Sequence, residues 1–293
     1  MTLRVTRRGF VKGTGLAAAA GVATGAGATS ERGNRTLQRQ PTLPLKQATP
    51  VFALVQSERR ETDPGRLPED LRRSLQAIAA SVAEIQAEGP HKDWIAFHDG
   101  ALTGRSGIAI PLGGAECSAL AALSRQYGCW ISVGARFSSD PQQGAALDAE
   151  AFFSPDGRLA SLQPADGSRA LGPGLSLVAV TEFGNLAATP RVDDPLLDAE
   201  RIAAGAEFLL RTHSGALADW ALDVPVCCRA HRIHGAVVSA AMSASTPPGA
   251  PDVTAGGSAF YGPDGRQLAA AEGSRAQWVT CAVPMARQRA ASA

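Results

Sequence analysis

The stretch F-G-N-L-A-A-T-P-R-V-D-D-P-L-L-D-A-E-R-I-A-A-G-A-E-F-L-L, residues Phe183 to Leu210, carries the reading that decides the fold. A short apolar run ends in the turn Thr189-Pro190-Arg191-Val192-Asp193-Asp194-Pro195. A helix follows and ends at Gly205-Ala206, just before a second apolar run, Phe208-Leu209-Leu210. A strand that turns sharply into a helix projects the side chain at the turn and is a common place to hold a reactive group. Here the polar side chains at the turn are Thr189, Arg191, Asp193 and Asp194, and no cysteine is among them.

Outward from this element the chain alternates strands and helices. Pro50–Gln56 reads as a strand. Pro68–Gly89 reads as an amphipathic helix, with Leu71, Leu75, Ile78, Val82 and Ile85 at alternating spacings of four and three. Asp93–Phe97 is a second strand, Ala115–Tyr127 a helix, and Cys129–Phe137 and Ala149–Phe153 are strands. Leu175–Glu182 is a further strand that feeds the elbow. Beyond the elbow, Phe208–Thr212 reads as a strand, Val224–Gly235 as a helix, and Ala236–Ala241 and Ser258–Tyr261 as strands. S-P-D-G-R-L at Ser154–Leu159 and G-P-D-G-R-Q-L at Gly262–Leu268 suit tight hairpins and suggest two related halves. The alternation is that of an α/β protein with helices covering sheets, the hairpins adding antiparallel strands.

Composition narrows the function classes. The 28 basic residues nearly balance 27 acidic ones, and no basic tract lies outside the N-terminus, so nucleic acid is not an expected partner. The N-terminus itself has Thr6-Arg7-Arg8-Gly9-Phe10-Val11-Lys12, then a small, mildly apolar run Gly13–Ala28 ending in Ala26-Gly27-Ala28. That pattern resembles a twin-arginine export signal over residues 1–29, a receptor-read address that predicts a periplasmic or extracellular protein. The apolar run is too short and Gly-rich for a stable membrane span. Residues 30–49 read as a flexible linker, 50–284 as the folded domain and 285–293 as a polar tail. The 5 cysteines (Cys117, Cys129, Cys227, Cys228, Cys281) have no disulfide-framework spacing and read mostly as buried thiols.

Several segments together resemble the nitrilase (carbon–nitrogen hydrolase) superfamily over about Val51–Pro284. They are Ala53-Leu54-Val55-Gln56, Ile95-Ala96-Phe97-His98-Asp99 with Leu102-Thr103-Gly104, the Ser154–Leu159 hairpin, Trp220, Arg229-Ala230, and Gly257-Ser258 with Gly262–Gly265. The elbow adds Pro195 and Gly205-Ala206. The resemblance implies a four-layer α-β-β-α sandwich, with homodimers formed through the elbow helix after Pro195, and no cofactor. It also implies a Glu base, a Lys that stabilises the oxyanion and a Cys that forms a thioester.

All three positions differ in this chain. Asp99 stands where the resemblance expects Glu, one methylene shorter. The Lys position falls in Leu162–Ala165, which holds no cation; the only lysines are Lys12, Lys46 and Lys92. The Cys position falls on Arg191 counting forward from Gly184, or on Thr189 counting back from Pro195 and Gly205. The expected protein is therefore an exported nitrilase-fold chain without the triad, binding a small ligand or a partner. The alternative is an amide or nitrile hydrolase with a rebuilt site that uses Asp99, His98 and Thr189.

Further residues carry paired readings. Asp99, Arg191 and Asp193 form an ion-pair network, or Arg191 anchors an anionic ligand with its planar fork. His98 is a base beside the pocket or a hydrogen-bonded strand-end residue. Cys227, His231 and His234 share a face at i, i+4 and i+7 of the predicted helix, as a weak metal candidate or as a core-facing thiol with two half-exposed imidazoles.

Overall fold

Two sheets face each other, and each is built by the same sequence of pairings. The computed structural model describes residues 49–58, 64–104, 108–139, 146–165, 177–190, 195–213, 223–241, 256–273 and 275–285. In chain order the strands and helices are β1 (Val51–Gln56), α1 (Leu67–Ala87), β2 (Trp94–Phe97), β3 (Ile110–Pro111), α2 (Ala115–Tyr127), β4 (Trp130–Ser138), β5 (Ala146–Phe153), β6 (Leu159–Pro164) and β7 (Ala179–Thr181). They continue with β8 (Gly184–Pro190), α3 (Pro195–Ala203), β9 (Phe208–His213), α4 (Asp223–His231), β10 (His234–Ser239), β11 (Ala259–Tyr261), β12 (Gln267–Ala270) and β13 (Gln277–Ala282).

The first sheet is 7-stranded, ordered β13-β1-β2-β4-β5-β6 with β3 beside β4; the second is 6-stranded, ordered β12-β11-β10-β9-β8-β7. In the first, β1, β2 and β4 run parallel and β4-β5-β6 continue as an antiparallel meander. In the second, β8, β9 and β10 run parallel and β10-β11-β12 form the meander. The two Pro-Asp-Gly hairpins join β5 to β6 and β11 to β12, so the related halves expected from sequence are present in the topology.

Strand alternation sends one set of side chains to each face. Phe52, Leu54, Trp94, Ala96 and Phe152 of the first sheet meet Leu186, Ala188, Phe208, Leu210 and Phe260 of the second in a shared inner core. Its centre is aromatic: the Phe208 ring lies 5.3 Å from both Phe52 and Trp94, edge to face. On the outer side of the first sheet, Ile78, Val82 and Ile85 of α1 and Leu120 of α2 pack on Val55, Phe97 and Val133. On the outer side of the second, Ile202 and Ala206 pack on Ala187 and Leu209, and Val224 and Cys228 of α4 pack on Val237. The result is a four-layer α-β-β-α sandwich.

Local chemistry sets the helix ends. α1 begins with Pro68 in its first turn and Glu69 and Asp70 beside its positive end. α3 stops because Gly205 adopts φ +97°, a left-handed conformation in which its N–H bonds the Ile202 carbonyl at 2.9 Å.

Two element expectations need correction. Val224–Gly235 is not one helix: α4 ends at His231, Arg232 turns at φ +55°, and His234 begins β10 opposite Phe208. Pairing with β9 outweighs the helical spacing read from sequence. Leu175–Glu182 is a strand only over Ala179–Thr181, since Thr181 Oγ1 accepts the Phe183 and Gly184 N–H groups and turns the chain into β8; Leu175 lies outside the described residues. Among the described residues no helix is long and apolar enough to cross a membrane.

Candidate functional site

His98 and Asp99 follow directly on β2, at the C-terminal ends of the first sheet's parallel strands, and both are buried. Gly134 of β4 packs against Asp99. A Cβ on Gly134 would stand 2.8 Å from Asp99 Cα and 2.9 Å from Glu150 Oε2, so only glycine lets the Asp99 backbone and the Glu150 carboxyl approach there. Glu150, on the inner face of β5, is the acid that the sequence reading missed. It is fully buried, accepts from Thr212 Oγ1 at 3.2 Å, and its Oε1 has no hydrogen-bond partner among the described residues. Burial first, and the neighbouring Asp99 charge second, push its carboxyl well above the ordinary carboxylate range; the Ser132 and Thr212 hydroxyls oppose the shift. The sequence did carry a signal for it: Glu150 shares a strand face with Phe152, where an inner side chain is expected.

The segment corresponding to the Lys position is structural. Among the described residues, β7 pairs with β8 as far as Leu186. Gln163 of β6 bonds the β8 backbone: its Oε1 accepts from Ala188 N at 2.6 Å and its Nε2 donates to Leu186 O at 3.2 Å. Lys92 is remote from it and caps the end of α1, donating to the carbonyls of Ile85 (3.0 Å), Pro90 (2.8 Å) and Glu88. Lys12, Lys46, Arg191 and Asp193 lie outside the described residues.

At the elbow, Thr189 points to the outer face of β8, beneath α3, and is 1% exposed. Its Oγ1 donates to Asp198 Oδ1 at 2.8 Å and accepts from Arg201 Nη1 at 2.8 Å. Arg201 Nη2 donates to the Pro164 carbonyl of the other sheet at 2.7 Å, and Arg211 pairs with Asp198. Burial lowers the Arg201 guanidinium to about 10, partly offset by Asp198, so it stays charged near neutrality. The sequence signals were Asp198 and Arg201 one turn apart on the elbow helix, and Arg211 directly after the apolar run Phe208-Leu209-Leu210.

The remaining candidates separate. His231 is exposed on α4, His234 is buried on β10, and Cys227 is half-buried on α4, so the three do not share a helical face. Among the described residues no group of three or more His, Cys, Asp or Glu is placed to hold a metal ion. The cysteines are all free, on α2, α4, β13 and at the start of β4. Burial pushes Cys117, Cys129 and Cys227 up to about 11 and Cys228 to about 12, and it raises Cys281 as well. Such thiols are weak nucleophiles at neutral pH.

Solved structures with this architecture are nitrilase-superfamily proteins. A branch-10 member from Saccharomyces cerevisiae is 17% identical, covering 82% of this chain and 92% of its own, with TM-score 0.65. A carbon–nitrogen hydrolase from Helicobacter pylori is 14% identical over 84% of this chain and 92% of its own, with TM-score 0.66. This chain has the nitrilase-superfamily fold. An amidase from Nesterenkonia sp. shares that fold at 17% identity, over 84% of this chain and 95% of its own, with TM-score 0.63. No family model and no curated protein matches the sequence.

Proposed function

We propose that this nitrilase-fold chain takes a small ligand at the C-terminal ends of its parallel strands without forming a cysteine thioester, in the first instance as a binding protein. The observation that carries the reading is the elbow. The Thr189 hydroxyl is closed between Asp198 and Arg201 on the helix side of β8, with no thiol in the elbow sequence and no Lys in Leu162–Ala165. In the Nesterenkonia amidase, by contrast, the acetamide moiety of fluoroacetamide adds covalently at an active-site cysteine. The Asp198 carboxylate that accepts the Thr189 hydroxyl is itself paired with Arg211.

The test is a thermal-shift screen of small amides, amines and carboxylates with the mature chain, paired with intact-mass spectrometry. A ligand that raises Tm and leaves no covalent mass supports the reading. Turnover that Thr189→Val abolishes would overturn it.

A second reading, a hydrolase with its site rebuilt away from the elbow, is favoured by the hydroxyl–imidazole contact of Ser57 with His98. Two further parts of the proposal rest on sequence. Export by the twin-arginine route is supported by Arg7-Arg8 and is tested by fractionation after replacing both with Lys. Pairing of two copies through α3, whose Ala199, Glu200 and Ala203 are exposed, is tested by light scattering with Ala199→Arg.

A further inference from the structure

Ser57 and His98 form a pair that neither the elbow nor the family resemblance uses. Strands β1 and β2 are parallel neighbours with Val55 opposite Phe97, and each ends just before one of these residues. His98 is fully buried, whereas Ser57 is half-buried. Ser57 Oγ lies 2.9 Å from His98 Nε2, and His98 Nδ1 lies 2.8 Å from the backbone oxygen of Asp99.

A carbonyl oxygen only accepts, so Nδ1 carries the hydrogen, and in the neutral imidazole the Nε2 lone pair faces Ser57. Ser57 O–H then donates to Nε2. A hydroxyl, a base within 2.6–3.2 Å of it, and a third group that orients the base are the parts of an activated nucleophile. The backbone under the hydroxyl is fixed as well: Ala241 N donates to Ser57 O at 2.8 Å, and Glu58 bridges Ala241, tying the end of β1 to the chain just after β10.

We infer that Ser57 is a nucleophile and His98 its general base, for acyl transfer from a small ester or activated amide. The inference rests on the second reading above. Ser57 Oγ attacks the acyl carbon as its proton passes to Nε2. The same proton then goes to the leaving alcohol or amine as the C–O or C–N bond breaks, leaving an ester on Ser57. Water, deprotonated by His98, adds to that ester; the carboxylic acid departs and the proton returns to Ser57 Oγ.

The experiment treats the full mature chain with an alkyl fluorophosphonate, whose phosphorus is attacked by the serine oxygen with loss of fluoride, and maps the adduct by peptide mass spectrometry. One adduct at Ser57 is expected, absent in Ser57→Ala and unchanged in Thr189→Val. Labelling should slow roughly 100-fold or more in His98→Gln. The wild-type rate should rise with pH as an imidazole loses its proton, a profile that a merely structural pair would not give.

Should His98→Gln fold poorly, Ser57→Cys in a chain that keeps His98 gives a second handle: its alkylation by iodoacetamide should already be fast well below the ordinary thiol pKa of about 8.5. No adduct at Ser57, or labelling indifferent to His98, overturns the inference. A ligand that still raises Tm in that case leaves the binding reading standing. Labelling at Ser57, together with hydrolysis of a small ester that Ser57→Ala abolishes, removes the binding-only reading.

Discussion

The ends of two corresponding strands, β1 in the first half and β8 in the second, each present a hydroxyl, and the two hydroxyls have opposite surroundings. Thr189 lies between a carboxylate and a guanidinium under α3, with a further Arg211–Asp198 pair behind it. Ser57 faces the Nε2 ring nitrogen of His98 and stays half-buried. The Thr189 proton is already donated to a carboxylate that is neutralised by arginine, so little drives it away. The Ser57 hydroxyl instead meets an imidazole nitrogen, a group that can take its proton. Strand–turn–helix geometry alone therefore does not make a nucleophile; the partner of the hydroxyl does.

The largest effect expected is at the elbow. Asp198→Ala leaves Arg201 and Arg211 buried without their shared acid, and such a loss destabilises by about 3–5 kcal/mol. Denaturant unfolding should show that loss while fluorophosphonate labelling of the folded fraction at Ser57 stays at the wild-type rate. Slowed labelling there would mean that the two ends are coupled, against the comparison drawn above.

Gly134→Ala comes next. Its new Cβ must displace the Asp99 backbone or the Glu150 carboxyl, at a cost of about 1–3 kcal/mol for overpacking. Because His98 is anchored through the Asp99 carbonyl, labelling at Ser57 should slow as well, which Asp198→Ala does not predict. Ser57→Ala should cost only about 1 kcal/mol, the scale of one hydrogen bond, while abolishing labelling entirely. A Tm loss as large as that of Asp198→Ala would recast Ser57 as a structural strut.

The smallest effect is pH-dependent. Glu150 has a folded pKa above its unfolded value, so its favourable contribution is complete below the unfolded carboxyl pKa of about 4.3 and is lost as pH rises through the folded value. Glu150→Gln cannot titrate. Wild-type Tm should therefore fall more steeply than the variant's as pH is raised from acid to neutral, and parallel curves would rule out a buried, proton-carrying Glu150.

Much of the architecture was legible in local pattern. Leu71, Ile78, Val82 and Ile85 are the buried stripe of α1 that their spacing announced, and Ala115–Tyr127 is α2 to the residue. The Pro-Asp-Gly turns fall where they were read, and Pro195 and Gly205 bracket the elbow helix and its cap. Less legible were elements whose boundaries depend on a partner strand, such as α4, shortened because His234 pairs with Phe208.

Of the candidate site, the sequence singled out Asp99, His98 and Thr189 through the resemblance to the nitrilase superfamily, whose motif positions they occupy. It did not pair Ser57 with His98, which are 41 positions apart, nor bring Glu150 of β5 to Gly134 and Thr212. By itself, the sequence determined the strand–helix alternation, the two hairpins, and the absence of a thiol at the elbow and of a lysine in Leu162–Ala165. The tertiary structure decided which hydroxyl meets a base and which is enclosed by ions. The physical reason is that periodicity and turn chemistry act over a few residues, whereas a side chain's proton depends on neighbours brought in by other strands.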